Sequence, residues 1–143
     1  MSTPVKAQLL KGFRDFFAED IQVREFVINT FKNVFEKYGY EPLETPALEY
    51  ADIFEKESGE EAAKLFYKFK DEGNRNIMLK YEVMISMCRA VAENINTIVF
   101  PYKRYQIQNV WRAEKPQKGR YREFTQCDAD TIGSESVICD AEF

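Results

Sequence analysis

Two strand-like segments flank a basic loop late in the chain, and this pattern constrains the fold more than any other. Residues 102–113 and 121–132 are rich in aromatic and β-branched side chains, and Pro116 and Gly119 are turn residues between them. Along a strand, side chains two positions apart point to the same face. The sequence therefore predicts that the two segments pair as a long antiparallel hairpin.

A stripe of apolar and aromatic residues predicts a helix over residues 23–38. The side chains recur at i, i+3 and i+4 spacing, and Gly39 supplies a stop signal. The members of the stripe are Val23, Phe26, Val27, Thr30, Phe31, Val34, Phe35 and Tyr38. An aromatic stripe of this kind is expected to lie in the core or at a subunit interface.

The remaining patterns complete one α+β domain over residues 1–143. Residues 40–49 alternate apolar with acidic side chains around two prolines, which predicts an edge strand. A hairpin is predicted over residues 65–80, a helix over residues 82–94 and a last helix after Gly133. A chain of this length can bury one core. The predicted architecture is a mainly antiparallel sheet flanked by helices.

Composition excludes several kinds of chemistry. The sequence contains no histidine, so imidazole-based catalysis and imidazole ligation of a metal are excluded. Three cysteines without CxxC spacing, Cys88, Cys127 and Cys139, indicate free thiols, and no metal site built from protein ligands is expected. No apolar run approaches about 18 residues and no signal-peptide stretch opens the chain, so a soluble, cytoplasmic protein without membrane contact is expected.

Positive charge is concentrated in the hairpin region. Residues 103–122 hold seven basic residues and one acid, Glu114, which gives this window +6, the rest of the chain −10 and the whole chain −4. A basic stretch in an acidic protein indicates an anionic ligand such as phosphate or nucleic acid. A solvated charged hairpin would give the same pattern, and the charge alone leaves both alternatives open.

The polar side chains on one face of the hairpin narrow that choice. Alternation along the strands gives a row of Arg112, Glu114, Phe124, Gln126, Asp128 and Asp130, which is expected to face solvent or a ligand. Arg112 can pair with a phosphate, Glu114 can accept from an exocyclic amine, and Phe124 can stack on a base. Gln126 and Asp130 can hold an ammonium group. The row predicts a nucleotide or nucleic-acid site, although the glycine patterns of the common nucleotide folds are absent.

The hairpin sequence resembles a known family. Residues 110–124, VWRAEKPQKGRYREF, closely resemble motif 2 of class II aminoacyl-tRNA synthetases, in the form used by the histidyl-tRNA synthetase family. KGFRD at residues 11–15 is similar to the N-terminal signature of that family. The predicted helix, with YGY at 38–40 and TPALE at 45–49, resembles motif 1, which forms the dimer interface in the family. The resemblance covers the chain from about Lys11 to its end and implies a class II synthetase-like sheet and a homodimer.

The resemblance implies a site for ATP, which enters with Mg²⁺. Arg112 corresponds to the catalytic arginine on the α-phosphate, Glu114 lies at the adenine end, and Phe124 stacks on adenine; Arg120 belongs to the same ATP site. Lys118 and Arg120 lie in the motif 2 loop, which approaches the acceptor end of tRNA(His). In the implied reaction a histidine carboxylate oxygen attacks the α-phosphate, pyrophosphate leaves, and the acyl group passes to tRNA. This chemistry depends on positioning and charge stabilisation, and it needs no histidine side chain.

The resemblance also implies a site for the substrate L-histidine. Glu82 matches an acidic residue that binds the α-amino group, and Gln126 and Asp130 fall where the family contacts histidine. The family reads close to LRYDLTVP where residues 79–86 read LKYEVMIS, so Met84 replaces a threonine that contacts the substrate. The lost hydroxyl hydrogen bond is worth about 0.5–1.5 kcal/mol.

Three functions remain open on the sequence. The chain ends before motif 3, the segment that closes the histidine pocket and the anticodon-binding domain, so the resemblance implies a truncated catalytic portion of a histidine–tRNA ligase with little activity alone. A non-catalytic paralogue, such as the synthetase-like regulatory subunit of ATP phosphoribosyltransferase, would suit the altered Met84 position. A dimerising or RNA-binding module is the third alternative. The complete motif 2 row favours the ligase.

Overall fold

The strands divide between two small sheets. The computed structural model describes residues 6–142, so the first five residues and Phe143 of the predicted domain lie outside the description. In chain order the elements are α1 (Ala18–Lys37), β1 (Glu41–Pro42), β2 (Leu48–Tyr50), α2 (Ala51–Ala63), β3 (Lys68–Lys70), β4 (Asn76–Leu79), α3 (Met84–Glu93), β5 (Tyr102–Trp111), β6 (Glu123–Ile132) and α4 (Ile138–Glu142). One sheet has the order β1-β5-β6 and the other β2-β4-β3. Only β1 and β5 pair in parallel among the described strands, which confirms the predicted α+β class with mainly antiparallel pairing.

The long hairpin is the predicted one. β5 and β6 pair antiparallel over ten positions, from Tyr102 opposite Ile132 to Trp111 opposite Glu123. The ladder continues for one step, because the Arg112 N–H donates to the Arg122 carbonyl over 2.9 Å. The strands are slightly shorter than predicted, and the residues between them form a loop in which Gly119 has φ +79°. The register places the predicted polar row on one face of this hairpin.

A small apolar core lies between α2 and the second sheet. It consists of Ala51, Phe54, Phe66 and Met78, all buried. The rings of Phe54 and Phe66 meet edge to face with centroids 6.3 Å apart, and Phe66 meets Tyr81 at 5.2 Å. Tyr81 thereby connects this core to the residues that follow β4. The hairpin predicted over residues 65–80 is confirmed as β3 and β4.

The single edge strand predicted over residues 40–49 is wrong. β1 pairs with β5 in one sheet, and β2 pairs with β4 in the other. Between them the backbone of Thr45 bonds to side chains, with its N–H on Gln108 Oε1 (3.1 Å) and its carbonyl accepting from Lys80 Nζ (3.1 Å). The polar side chains around Thr45 therefore interrupt the strand and let the chain cross from one sheet to the other.

Helix α1 leans on the outer face of the long hairpin. Phe35 stacks on Tyr105 with centroids 5.1 Å apart, and Arg24 donates to Thr125 Oγ1 over 2.8 Å. The apolar stripe predicted for this helix is present but lies outside the core of the chain, since Val23 is 65% and Phe26 73% exposed. The side that meets the sheet overlaps the stripe at Phe35 and also includes Arg24. Within residues 6–142 no helix is both long and apolar enough to cross a membrane.

Candidate functional site

A cleft of about 400 Å³, here called the loop cleft, opens at the loop end of the long hairpin. Its lining residues are Arg14, Arg112, Glu114, Gly119, Arg120, Tyr121 and Phe124. All four residues predicted to bind ATP (Arg112, Glu114, Arg120 and Phe124) are among them. Lys118, predicted to contact tRNA, is exposed in the same loop and does not line the cleft. The structure thus brings one predicted set of residues together in a single cavity.

Arg112 is held in the loop cleft by aromatic rings. Its guanidinium carbon lies 4.5 Å from the centroid of the Tyr81 ring and 5.0 Å from that of Phe124. Its Nε donates to the Tyr81 carbonyl over 3.3 Å, and its terminal nitrogens have no hydrogen-bond partner within residues 6–142. Stacking restricts the side chain without consuming these N–H groups, so the in-plane edge is available to an anion.

Glu114 and Arg120 form an ion pair in the loop cleft. The Glu114 side chain is largely buried at 14% exposure, whereas that of Arg120 is 61% exposed. An ion pair with one solvated partner is worth little, typically about 0–1 kcal/mol. Arg120 can therefore exchange this carboxylate for a phosphate at small cost.

The segment of residues 11–15 docks against the hairpin and completes the loop cleft. Arg122 donates its N–H to the Gly12 carbonyl over 2.8 Å and its Nε to the Glu114 carbonyl over 2.9 Å. Gly12 has φ +90°, and a Cβ there would lie 2.9 Å from Arg122 Cγ, so both conformation and close approach require glycine. This docking carries Arg14 to the loop cleft, where its guanidinium carbon lies 3.4 Å from the Tyr121 ring centroid.

Further along the hairpin lies a second polar region, here called the polar floor. Gln126, Asp128 and Asp130 of β6 stand opposite Gln108, Gln106 and Arg104 of β5. Arg104 and Gln106 are fully buried. Arg104 forms an ion pair with Asp130 and donates to Gln106 Oε1 over 2.9 Å. The β6 polar row is half-buried and has buried polar neighbours on β5, so the expectation that it faces solvent or a ligand stays a prediction.

Charges in the polar floor are mutually dependent. Burial lowers the pKa of Arg104, and the negative charges of Asp130 and Asp128 oppose that shift. Burial raises the pKa of Asp128, and the positive charge of Arg104 opposes this shift. Asp128 accepts from Gln126 Nε2 over 2.8 Å, while Gln126 Oε1 is buried without a hydrogen-bond partner in the described chain. Two of the predicted histidine-binding residues, Gln126 and Asp130, thus share this floor.

Lys80 supports the polar floor from the second sheet. It is 1% exposed, and its Nζ donates to the Thr45 carbonyl (3.1 Å) and to Gln108 Oε1 (3.0 Å). Burial lowers the pKa of Lys80, and the charge of Glu49 opposes the shift. The Lys80 carbonyl also accepts from the Trp111 N–H over 2.9 Å, which ties the end of β4 to the long hairpin.

The other two predicted histidine-binding residues lie at the start of α3. Both carboxylate oxygens of Glu82 accept backbone N–H groups, from Met84 and Ile85, over 2.6 Å each. These bonds satisfy two of the backbone N–H groups at the start of the helix, which have no partner within it. Met84 is the first residue of α3 and is 53% exposed. Within residues 6–142, no hydrogen bond or ion pair joins Glu82 or Met84 to the polar floor.

Known proteins match this sequence and fold. A model of the family described as histidyl-tRNA synthetase matches residues 12–143. The chain belongs to the histidyl-tRNA synthetase family. A histidine–tRNA ligase of Treponema denticola is 45% identical over 142 residues, covering 99% of this chain and 32% of the relative. One from Helicobacter hepaticus is 44% identical over 138 residues, covering 96% of the chain and 31% of the relative. The chain therefore spans about a third of these curated relatives, and the family resemblance of the motif 2 segment is confirmed.

Solved structures agree on the fold. Histidyl-tRNA synthetase from Nostoc sp. PCC 7120 superposes with a TM-score of 0.83 at 28% identity, covering 96% of this chain and 32% of that one. An ATP phosphoribosyltransferase regulatory subunit/histidyl-tRNA synthetase from Bacillus halodurans has a TM-score of 0.84 at 23% identity, covering 99% and 36%. The latter likeness shows the fold alone. The predicted class II synthetase-like architecture is confirmed.

Three basic residues in or beside the candidate site are not predicted from the sequence to lie there. Arg14 lies in the recognised KGFRD segment, but its contact with Tyr121 spans more than a hundred positions. Arg104 belongs to the basic window predicted to meet an anion, and it is buried instead. Lys80 directly follows the strand β4, and this position signals a buried charge only once Thr45 is known to lie beside it. A basic residue within an otherwise apolar or strand-like run is the signal that Arg104 and Lys80 share.

Proposed function

We propose that this chain forms the ATP- and histidine-recognising part of a histidine–tRNA ligase, within one catalytic domain that includes residues 1–143. The carrying observation is the convergence of Arg112, Glu114, Arg120 and Phe124 on the loop cleft. Three guanidinium groups line this cavity against one carboxylate, which suits a polyphosphate. The aromatic face of Phe124 beside Arg112 suits a purine.

The geometry supports activation of histidine by positioning. A histidine carboxylate oxygen attacks the α-phosphorus of ATP, a new oxygen–phosphorus bond forms, and the bond to pyrophosphate breaks. Arg112 stabilises the negative charge that develops on the α-phosphate, and stacking between two rings fixes the guanidinium in advance. ATP arrives as its Mg²⁺ complex, which is substrate. Gln126 and Asp130 orient the amino acid from the polar floor, and Glu82 and the residue at position 84 approach it from α3.

The second step and the assembly extend this proposal. Lys118 and Arg120, exposed in the loop, contact the acceptor end of tRNA(His) by charge. In the single chain, the motif 1 region leaves apolar residues such as Phe26 exposed, and in the proposed homodimer a second copy of the chain covers them. The proposal includes a cytoplasmic location, because the proposed substrate is tRNA. The alternative is a regulatory subunit of the ATP phosphoribosyltransferase type, which the fold of the Bacillus halodurans protein favours.

Binding of Mg·ATP to Arg112 variants tests the proposal. The chain spans only about a third of its relatives, so the test measures ligand binding by isothermal titration calorimetry and does not depend on the activity of a complete enzyme. We expect a Kd of about 1 mM for the unmodified chain and at least about tenfold weaker binding for Arg112→Ala, equivalent to about 1.4 kcal/mol. Lys115→Ala, an exposed loop residue outside the loop cleft, is the control and should retain the parent affinity. Equal ATP affinity of Arg112→Ala and the parent would contradict the proposed role of Arg112.

A further inference from the structure

We propose that Arg14 is a third arginine of the nucleotide site and binds the phosphates of ATP beyond the α-phosphate. The inference rests on the proposed function, since it assigns a residue to the same loop cleft. Arg14 lines this cavity together with Arg112 and Arg120, although it comes from the far end of the sequence. Its location, its lack of polar partners and the way it is held carry the argument.

Arg14 is fixed by aromatic contacts alone. Its guanidinium carbon lies 3.4 Å from the centroid of the Tyr121 ring and 4.8 Å from that of Phe16. Both contacts use the faces of the rings, and neither consumes an N–H group. Within residues 6–142, Arg14 makes no hydrogen bond and no ion pair, so all five of its N–H donors remain available in the cleft.

The support behind Arg14 is independent of any ligand. Gly12 is joined to Arg122 by the 2.8 Å backbone hydrogen bond, and Phe13 packs edge to face on Tyr67 with centroids 6.3 Å apart. These two contacts place the next residue, Arg14, over Tyr121. A cation held in position before binding loses less conformational freedom when it meets an anion.

The three arginines of the loop cleft are not equivalent. Arg120 already pairs with Glu114, and Arg112 lies between Tyr81 and Phe124, next to the surface proposed for adenine. Arg14 has no carboxylate partner among the described residues, and it stacks on Tyr121 instead of Phe124. A guanidinium that pairs with phosphate through two N–H groups suits the terminal phosphates, which carry the highest charge of the nucleotide.

Arg24 provides a matched control. Its guanidinium carbon lies 4.3 Å from the centroid of Phe16, the ring that also contacts Arg14. Unlike Arg14, it donates a hydrogen bond to Thr125 and lies outside the loop cleft. Arg24→Met therefore removes the same charge and a similar stacking contact without removing a cleft residue. Arg14→Lys keeps the charge of Arg14 and removes the planar fork.

Calorimetric titrations with Mg·ATP, AMP and inorganic pyrophosphate test the assignment. For Arg14→Met we expect about tenfold weaker binding of Mg·ATP and pyrophosphate and AMP affinity within about twofold of the parent. Arg14→Lys should fall between the parent and Arg14→Met, and Arg24→Met should match the parent for all three ligands. The denaturant midpoint of each variant shows whether the fold is retained, and Arg14→Lys carries the test if Arg14→Met does not fold.

The possible outcomes separate the two proposals. Unchanged Mg·ATP affinity in Arg14→Met, with the expected loss in Arg112→Ala, overturns the Arg14 assignment and leaves the proposed function standing. An equal loss for AMP also overturns it. Pyrophosphate binding that depends on Arg14, in a chain that binds no ATP, supports the Arg14 subsite and contradicts the proposed function.

Discussion

The loop cleft and the polar floor hold their arginines in opposite ways. In the cleft, Arg14 and Arg112 are fixed by ring faces, and their outer N–H groups have no hydrogen-bond partner in the described chain. In the floor, Arg104 is fully buried and its charge is shared with Asp130 and Asp128. Stacking on a ring restrains an arginine and leaves its N–H donors available to a ligand. In a buried ion pair, the carboxylate that restrains the arginine also neutralises its charge.

The difference indicates separate roles for the two regions. A cavity in which two guanidinium groups have no hydrogen-bond acceptor on their outer edge within the described chain is suited to an anion. The polar floor is first a structural element, because removing one member leaves a buried charge or an unsatisfied acceptor. A ligand at the floor meets Asp130 with one oxygen already engaged, so its contacts there are set by the protein network behind it.

The largest expected effect comes from breaking the buried ion pair. Arg104→Met leaves Asp130 and Asp128 without their shared cation and Gln106 Oε1 without its donor. We expect a loss of about 3 kcal/mol in the free energy of unfolding, the low end for a broken buried pair, because the Asp130 side chain is 37% exposed. Chemical denaturation measures it.

Arg120→Met is the matched variant in the loop cleft. It breaks the Glu114 ion pair, whose arginine is solvated, and should cost at most about 1 kcal/mol of stability. Its main effect should fall on Mg·ATP affinity instead. Similar losses of stability in the two variants would remove the distinction between cleft and floor.

The cleft is largely predictable from sequence, and the floor is not. Arg112, Glu114, Arg120 and Phe124 lie within 13 consecutive positions of one hairpin, so alternation and a local motif suffice to bring them together. The floor joins side chains from several segments. Its link to Lys80, for example, depends on the crossing at Thr45, where a continuous edge strand was the prediction.

Helix α1 shows a related limit of sequence reasoning. The periodic stripe correctly predicts a helix, which begins at Ala18, and the apolar side is where the pattern places it. Periodicity does not say what covers that side. In this chain the sheet contacts one edge of the stripe, at Phe35, together with Arg24, and residues such as Phe26 stay exposed. Contact between a helix and a sheet is set by the sheet surface as well as by the helix.

A smaller loss of stability is expected at the contact between Gly12 and Arg122, which docks residues 11–15 on the hairpin. Gly12→Ala introduces a Cβ at φ +90° and 2.9 Å from Arg122 Cγ. Backbone strain of about 1–2 kcal/mol and the steric conflict should together weaken docking of residues 11–15 by about 2 kcal/mol. Hydrogen exchange at the Arg122 N–H, which donates to Gly12, measures this local opening.

Gly59→Ala separates strain from close approach. Gly59 has φ +71°, and a Cβ there would meet no atom within 4 Å, so only the conformational cost remains. Gly12→Ala should also lower Mg·ATP affinity by displacing Arg14, whereas Gly59→Ala should not. Parent-like exchange at Arg122 in Gly12→Ala would show that docking of residues 11–15 does not depend on glycine at position 12.

The smallest expected effect concerns Met84, the first residue of α3. Met84 stands where the family resemblance places a threonine, and its N–H donates to Glu82 over 2.6 Å. Met84→Thr adds a hydroxyl that can bond to histidine and shortens an exposed side chain. We expect histidine to bind about tenfold more tightly, equivalent to one hydrogen bond of about 1.4 kcal/mol, with Mg·ATP affinity in the loop cleft unchanged.

Met84→Val is the control for this last change, because valine matches the shape of threonine and lacks its hydroxyl. Titration of histidine into the parent and both variants gives the comparison. Improvement with threonine alone assigns the gain to a hydrogen bond, whereas equal improvement with valine assigns it to removal of the methionine bulk. If neither variant binds histidine more tightly, position 84 does not reach the amino acid, and the proposed histidine contacts are limited to the polar floor and Glu82.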